Sequence, residues 1–578
     1  MLKKTKILAM LAGAYFALNA SAAEEVKKEL KMFDYDALHK QELKAILQPV
    51  RPGIPGKRPF WNNFAKRFIY APAFDFKKVE GAVKYRFTVL DKDKSYSFEA
   101  KEPWAPLTPI WGKIPDGNVM VRRNGKGTLK LKVEGISQDG TVVGLAGERS
   151  LEKSPCFKGP YKTSNMTYEE SAEKGLRAVF ELGHVQQWLK TGTPDPNEPL
   201  YGYPAKIMGA LMHGLVVFAN DYAKNADEAE MAIKIARMNA DYIIKLSDPP
   251  GSPTDALQDF MPLTYWDGKD PDTDKMLMKR VLYPYKRYIL RLDPAGFDTG
   301  FGLCALYERT KDKKYLEYAR RLGETYVKLQ GEDGTWDMEF DIKRGRPTKA
   351  SSKSRLIPTM IMRFLDHLIK KYDMTQFKAS RDKAIAWMFA NTIKTYNWQP
   401  QFEDTKFFDA YRNHSSVDVI LFASLLMDHT SENPEYLAYA EECMRFAEDQ
   451  FIVWSKKGFG AMIGPGVLEK YTFQHLEPAI GFLACEAYLK LYKVTGKKIF
   501  LAKAVALIDG AVSGQKFMHE KHGSWLIMTR NGHYINPQRE WVNCNVYGAM
   551  GIAEIDKALK AIRNGDKEWT SERKSSGN

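Results

Sequence analysis

The sequence predicts a mainly α protein: an (α/α)6 toroid, six helical hairpins in a ring, preceded by a small antiparallel β-sandwich domain. Three observations predict it. From about residue 167 to the C-terminus run helix-sized segments with apolar residues at i, i+3, i+4 and i+7. The loops between them alternate short and long, and the long ones hold most of the Trp, Tyr and His and the isolated acids, as loops that build a binding face do. Between about 60 and 158 the apolar pattern has period two instead.

The chain opens on a secretory leader, residues 1–22. Lys3, Lys4 and Lys6 precede the apolar run ILAMLAGAYFALNA, and Ala20-Ser21-Ala22 fits the small-residue cleavage rule. The apolar run is short for a membrane span, no Cys follows it for a lipid anchor, and no second run reaches spanning length. The expected mature protein is exported and soluble, secreted or periplasmic. Removing the three leader lysines takes the formal charge from +15 to +12. A basic exported protein suits an anionic partner such as an acidic glycan, although dispersed solubility charge reads the same way. No dense Arg/Lys run with interleaved aromatics is present, which disfavours nucleic acid. The five cysteines, Cys156, Cys304, Cys443, Cys485 and Cys544, show no CxxC or Cys/His spacing, so no disulfide framework and no metal site are expected.

Residues 23–58 are a charged, helical segment that breaks at PVRPGIPGKRPFW. Residues 59–160 form the β-sandwich. KYRFTVL, SYSFEA, GNVMVRRN, TLKLKVEGI and TVVGLAGERSL alternate polar and apolar between Gly, Asp and Asn turns. This layout, with its run Trp111-Gly112-Lys113-Ile114-Pro115-Asp116-Gly117, loosely resembles a fibronectin-type-III-like module.

Residues 161–565 carry the ring, and 566–578 form a disordered tail. The predicted helices cover 167–190, 205–224, 226–246, 298–310, 313–330, 355–371, 379–395, 415–428, 434–453, 476–494, 497–512 and 545–563. Short Thr-, Asn- or Lys-rich joints, such as LYERTKDKKYLEYA and LYKVTGKKIFLAKA, pair ten of them into five hairpins. The first and last helices are left over, and pairing them closes the ring. With GEDGTWDMEF at 331–340, NWQPQFED at 397–404, FAEDQFIVW at 446–454 and Tyr471…His475…Glu477, this region resembles the six-hairpin glycosidase-like superfamily of bacterial carbohydrate-active enzymes. The resemblance implies a sugar-active protein and leaves its chemistry open.

Every long loop enters the N-terminus of an inner helix, so these termini ring one mouth and favour anionic groups there. Tyr201, Tyr203 and Lys206 are candidates for stacking on a sugar and pairing a carboxylate. The 248–297 loop carries Tyr265 and ends at Asp298, which suits an N-cap or a catalytic acid. Trp336 reads as a sugar platform, and Arg346 or Arg355 as a fork for a uronate. The densest stretch holds Asp409, Tyr411, Arg412, Asn413 and His414, with Ser415 as the helix cap. Next come Glu469, Tyr471, His475 and Glu477, then a polar aromatic wall with Trp525, Trp541 and Asn543. Glu448 and Asp449 fall on an outer helix and read as structural.

The catalytic candidates are thus Asp298, Asp409, Tyr411, His414, His475 and Glu477. The expected function is a glycoside hydrolase on an acidic, uronic-acid-containing oligo- or polysaccharide, which needs two carboxyl groups across the bond. The alternatives are a polysaccharide lyase using Tyr/His β-elimination and a non-catalytic glycan-binding protein. No cofactor is expected.

Overall fold

The computed structural model describes residues 33–52, 60–117, 129–161, 166–257, 259–270, 272–286, 288–349, 355–399, 410–455, 464–518, 529–530, 533–534 and 541–570. Among these residues the ring is built from helices α1 (Tyr168–Phe180), α2 (Pro204–Asp221), α3 (Ala226–Ser247), α4 (Phe301–Thr310), α5 (Lys313–Leu329) and α6 (Thr359–Tyr372). It continues with α7 (Lys378–Met388), α8 (Ser416–Met427), α9 (Tyr436–Phe451), α10 (Pro478–Thr495), α11 (Lys498–Met518) and α12 (Val542–Arg563).

The even-numbered helices are the inner ones, each packed on its even-numbered neighbours, α4 and α6 through the ring pairs Phe301–Phe364 and Tyr307–Tyr372 at 5.9 Å, and α12 returns to α2 to close the circle. Outer partners follow the loop alternation: α2 with α3, α4 with α5, α6 with α7, α8 with α9, α10 with α11, and α12 with α1. The chain is therefore an (α/α)6 toroid whose first and last helices form the sixth pair. Composition explains inside and outside. All residues of α8 are buried, whereas α5 carries one apolar stripe and a charged face. Left-handed residues end three inner helices and make their joints tight: Lys311 (φ 58°), Asp373 (φ 55°) and Gly496 (φ 75°). Asn225 and Asp312 then cap the following outer helices at α3 and α5, and Ser415 caps α8.

Helix boundaries depart from the sequence reading where backbone chemistry intervenes. The expected helix 167–190 breaks at the extended Leu182, and a second helix, Gly183–Thr191, follows. The helix expected from 355 starts at Thr359, because Pro358 restricts the residue before it. The helix expected from 298 is entered through a wide turn, Ala295–Gly300. That turn packs against α2 so closely that a Cβ on Gly209 would lie 2.6 Å from the Thr299 amide nitrogen, so glycine at 209 is what lets the turn approach.

Before the ring, β1 (Arg67–Phe68), β2 (Ala73–Asp75), β3 (Lys84–Asp91), β4 (Lys94–Ala100), β5 (Trp104–Pro106), β6 (Leu129–Ile136) and β7 (Val142–Lys153) make a sheet of order β1-β7-β6-β3-β4 and a separate β2–β5 ladder. Alternation buries Tyr85, Phe87 and Val89 on one face of β3, and Leu129, Leu131 and Val133 on β6. Of the expected β-sandwich, the described residues show this five-stranded sheet and the separate two-stranded ladder. Strand β1 also joins the sheet parallel to β7. Most of the expected strand GNVMVRRN lies outside the described residues. Trp111 sits in a single helical turn, its Nε1 donating to Ile69 O at 2.8 Å.

The module docks on α9. Asp449 accepts from the Ile69 and Tyr70 amides at 2.6 and 2.7 Å, and Trp61 stacks on Phe446 at 5.6 Å. Glu448 and Asp449 thus hold the two parts together. No helix of the described residues is long and apolar enough to cross a membrane.

Candidate functional site

A residue at or near the start of each inner helix faces a common cavity of about 500 Å³: Lys206, Asp298, Met360, Val417, Glu477 and Asn543. Six long loops lead to this rim, which is why the site is assembled from segments as far apart in sequence as Lys206 and Asn543. Ring closure gathers the polar groups here, since inner helices run parallel and their free N–H ends converge.

Asp298 lies in the wide turn before α4 and is 3% exposed. The turn is pinned from both sides. Tyr326 of α5 takes a hydrogen bond from the Gly296 amide at 2.7 Å and donates to Leu292 O at 2.6 Å, while Thr299 Oγ1 donates to Ala205 O at 2.7 Å. Tyr547 of α12 donates to Asp298 Oδ1. Burial pushes the Asp298 carboxyl up to about 7, Asp293 adds to the rise, and Lys206 and Tyr547 oppose it.

Glu477 precedes Pro478 at the start of α10 and is 4% exposed. Its Oε2 has no hydrogen-bond partner. Burial, then the charge of Glu469, raises its carboxyl well above the usual range, against the Ala479 amide and Lys206. Glu469 itself pairs with Lys470 at 3.3 Å on the same wall. The Lys206 ammonium lies over the Tyr203 ring, 5.7 Å from its centroid, and its charge acts on both carboxyls. Asn543 Oδ1 has no partner. A buried acid near neutrality, a second held neutral, and a lysine acting on both can exchange protons with a bound substrate. Among the described residues no group of three or more His, Cys, Asp or Glu is arranged to hold a metal ion.

Of the residues expected from sequence, Lys206, Asp298, Glu469, Glu477, Trp541 and Asn543 meet at this cavity. Others do not. Trp336 is fully buried, its Nε1 donating to Tyr326 O at 2.8 Å, so it is core and offers no sugar platform. Arg355 is committed to Asp333 at 2.6 Å and Asp337 at 2.9 Å, which fills its fork with carboxylates of this chain. Arg346 is exposed on a two-residue strand away from the cavity. Tyr201 is buried and receives the Trp188 indole N–H at 3.0 Å. Tyr203 and Tyr265 are buried and stack on each other at 5.2 Å, forming a wall behind Lys206.

The densest stretch is corrected most. His414 is fully buried between the rings of Tyr411, Tyr471 and Phe446, at 5.8, 5.2 and 5.7 Å, with neither ring nitrogen hydrogen-bonded. Burial lowers its pKa to about 3, so it stays neutral and is walled off from the cavity. Tyr411 donates to Thr395 O, Tyr471 donates to Gln450, and Asn413 accepts from the Thr472 amide. These are loop-locking bonds. Arg412 is exposed and off the cavity wall. Asp409, Trp525 and the His475 side chain lie outside the described residues.

Sequence reasoning missed Tyr547, Asp418, Glu486 and Glu554. Asp418 accepts from Thr359 Oγ1 beside the rim, and burial pushes it up to about 7. The overlooked signal was polarity at helical spacing inside an apolar helix: Glu486, Lys490 and Lys493 share the lumen face of α10 with Leu483.

No protein-family model matches the chain, and no curated protein matches it in sequence. Among solved structures it is similar to a family 76 glycoside hydrolase from a bovine Bacteroides thetaiotaomicron strain, at 12% identity over 85% of this chain and 98% of that one, TM-score 0.44. It is also similar to cellobiose 2-epimerase from Spirochaeta thermophila, at 13% identity over 68% and 98%, TM-score 0.47. A third is unsaturated glucuronyl hydrolase specific for heparin, at 10% identity over 68% and 98%, TM-score 0.41. At these scores the likeness says nothing about which residues react.

Proposed function

We propose that this chain is a carbohydrate-active enzyme, a glycoside hydrolase acting on an oligo- or polysaccharide that contains acidic sugars. One observation carries the reading: two enclosed carboxyls, Asp298 and Glu477, face one cavity from different inner helices, and burial raises both above the usual carboxylate range. That is the equipment for splitting a glycosidic bond. Glu477, held neutral, gives its proton to the glycosidic oxygen, and the bond from that oxygen to the anomeric carbon breaks. Asp298 takes a proton from the water whose oxygen bonds to that carbon. Lys206 and Lys470 supply positive charge on the same wall for a uronate carboxylate.

β-Elimination is the weaker reading, because Tyr411, His414 and Tyr471 are turned away from the cavity. The test is incubation with neutral and uronic-acid oligosaccharides followed by mass spectrometry. Products heavier by one water support hydrolysis. Unsaturated, ultraviolet-absorbing products overturn it in favour of a lyase, and no product from any substrate leaves only a glycan-binding protein. Export follows from residues 1–22 as a cleaved leader, tested by N-terminal sequencing of the protein recovered outside the cytoplasm.

A further inference from the structure

The cavity does not stop at the rim. Its wall follows α10 from Glu477 to Lys493 and α12 from Asn543 to Ala558. Sixteen residues of helix are about 24 Å. Below the rim comes an apolar waist that includes Phe297, Leu483 and Met550, and below that a second polar layer with Glu486, Glu554 and Lys490. Trp569 stands at the far end, with Lys493 5.3 Å from its ring centroid; it belongs to the helical turn Lys567–Thr570, where the sequence reading expected a disordered tail from 566.

Part of the second layer is an internal ion network. Glu486 meets Arg363 at 3.3 Å, Lys490 at 3.1 Å and the Ser424 hydroxyl at 3.3 Å, and Lys490 reaches Asp428 at 2.6 Å. Such a network needs no ligand. Glu554 is different. Its side chain is exposed to the lumen, lines the cavity wall, and has no hydrogen-bond or ion-pair partner among the described residues. Burial and the charge of Glu486 push it up to about 7, while Arg363 and Lys490 hold Glu486 down at about 2. An unpartnered carboxyl therefore stands near a carboxylate held by cations, with an aromatic face beyond them. Both signs of charge are present, so the chamber selects neither a free cation nor a free anion. Hydroxyl groups on a ring with apolar faces satisfy all three features.

We propose that Glu554, Glu486 and Trp569 form a distal saccharide subsite, so that a linear glycan lies along the ring axis, with one end beyond the waist and its scissile bond at the rim. The proposal extends the hydrolase reading of Asp298 and Glu477 and rests on it for the position of the cleaved bond.

The test is calorimetric titration of the full chain with di- to hexasaccharides of glucose, mannose and galacturonic acid. In the series that is recognised, the hexasaccharide is expected to bind at least tenfold tighter than the disaccharide. Trp569→Ala and Glu554→Ala are each expected to erase that gain, and Glu554→Gln, which keeps a donor, to retain part of it. Ala558→Trp, which fills the far end, gives the same loss without removing a polar group. Thermal melts identify a variant that has not folded. A gain with length that survives Trp569→Ala and Ala558→Trp overturns the subsite, as does equal affinity at all lengths or no binding in any series. Length-dependent binding that needs Trp569 but leads to no cleavage keeps the subsite and removes the hydrolase reading. Cleavage without length dependence does the reverse.

Discussion

Tyr547 donates its phenolic hydrogen to Oδ1 of Asp298, joining the last inner helix to the turn that opens α4 across 249 residues of sequence. This bond favours the charged carboxylate, whereas burial favours the neutral acid, and burial wins by enough to put Asp298 at about 7. A base must be ionised to act, so the rate is expected to rise with pH through about 7. In Tyr547→Phe the opposing bond is gone. A hydrogen bond to a charged group contributes about 1.5–3 kcal/mol, so the acidic limb of the kcat/KM profile should move up by about 1–2 pH units. An unmoved limb would separate Asp298 from the base role.

Neutral isosteres divide chemistry from stability. Asp298→Asn and Glu477→Gln should each lower kcat by about 10²–10⁴-fold with little change in KM. Both carboxyls have folded pKa values above their unfolded ones, so the folded state holds their protons longer. Their contribution to stability is therefore lost as pH rises from about 4 through the folded value. For Asp298 that deficit reaches about 4 kcal/mol at pH 8. Urea melts should find Asp298→Asn more stable than the parent at pH 8 and equal to it near pH 4. A variant that is inactive because it is unfolded shows the opposite.

The ring was legible because loop length is a direct consequence of hairpin geometry. A joint such as 310–312 has room only to turn one helix back on its neighbour, and Lys311 supplies the left-handed residue. The rim followed, since every long loop enters an inner helix. What could not be read was facing within a long loop. Trp336, Tyr201 and His414 have the composition of a binding surface, yet each is buried: loops this long carry a core of their own. The lower polar layer was missed for another reason. Glu486, Lys490 and Lys493 stand at helical spacing on one face of α10, and that polar step in an apolar helix was the trace of a lumen.

His414 offers a clean test of that distinction. Its folded pKa, about 3, lies below the unfolded value, so the unfolded chain binds the proton first and stability falls as pH drops below about 6.5. At pH 5 the penalty is about 2 kcal/mol. His414→Phe keeps the aromatic packing with Tyr411 and Tyr471 and removes two unsatisfied nitrogens. It should raise Tm, more at pH 5 than at pH 8, and leave activity intact. Loss of kcat without loss of Tm would return His414 to the catalytic list.

Lys503 of α11 is buried with Glu42 of the N-terminal helix Tyr35–Ala45 at 2.9 Å and Glu448 of α9 at 2.8 Å. Tyr70 and Tyr488 donate to Glu448 Oε2 at 3.1 and 3.0 Å, and Trp454 Nε1 donates to its other oxygen at 2.8 Å. One cation thus serves two carboxyls, and burial raises the Glu42 pKa. Removing the cation leaves two buried acids facing each other. Lys503→Met should cost about 3–5 kcal/mol in urea melts at pH 8, since breaking a buried pair strands its partner. The loss should shrink as pH falls, since burial raises the Glu42 pKa and that acid takes up a proton early. The N-terminal helix, held to α11 by the pair, should become the first site cut in limited proteolysis. Adding Glu42→Gln and Glu448→Gln to Lys503→Met removes the stranded charges and should recover most of the stability. Were the triple variant as unstable as the single one, packing of the lysine stem, and not charge, would be what fastens the N-terminal helix to the ring.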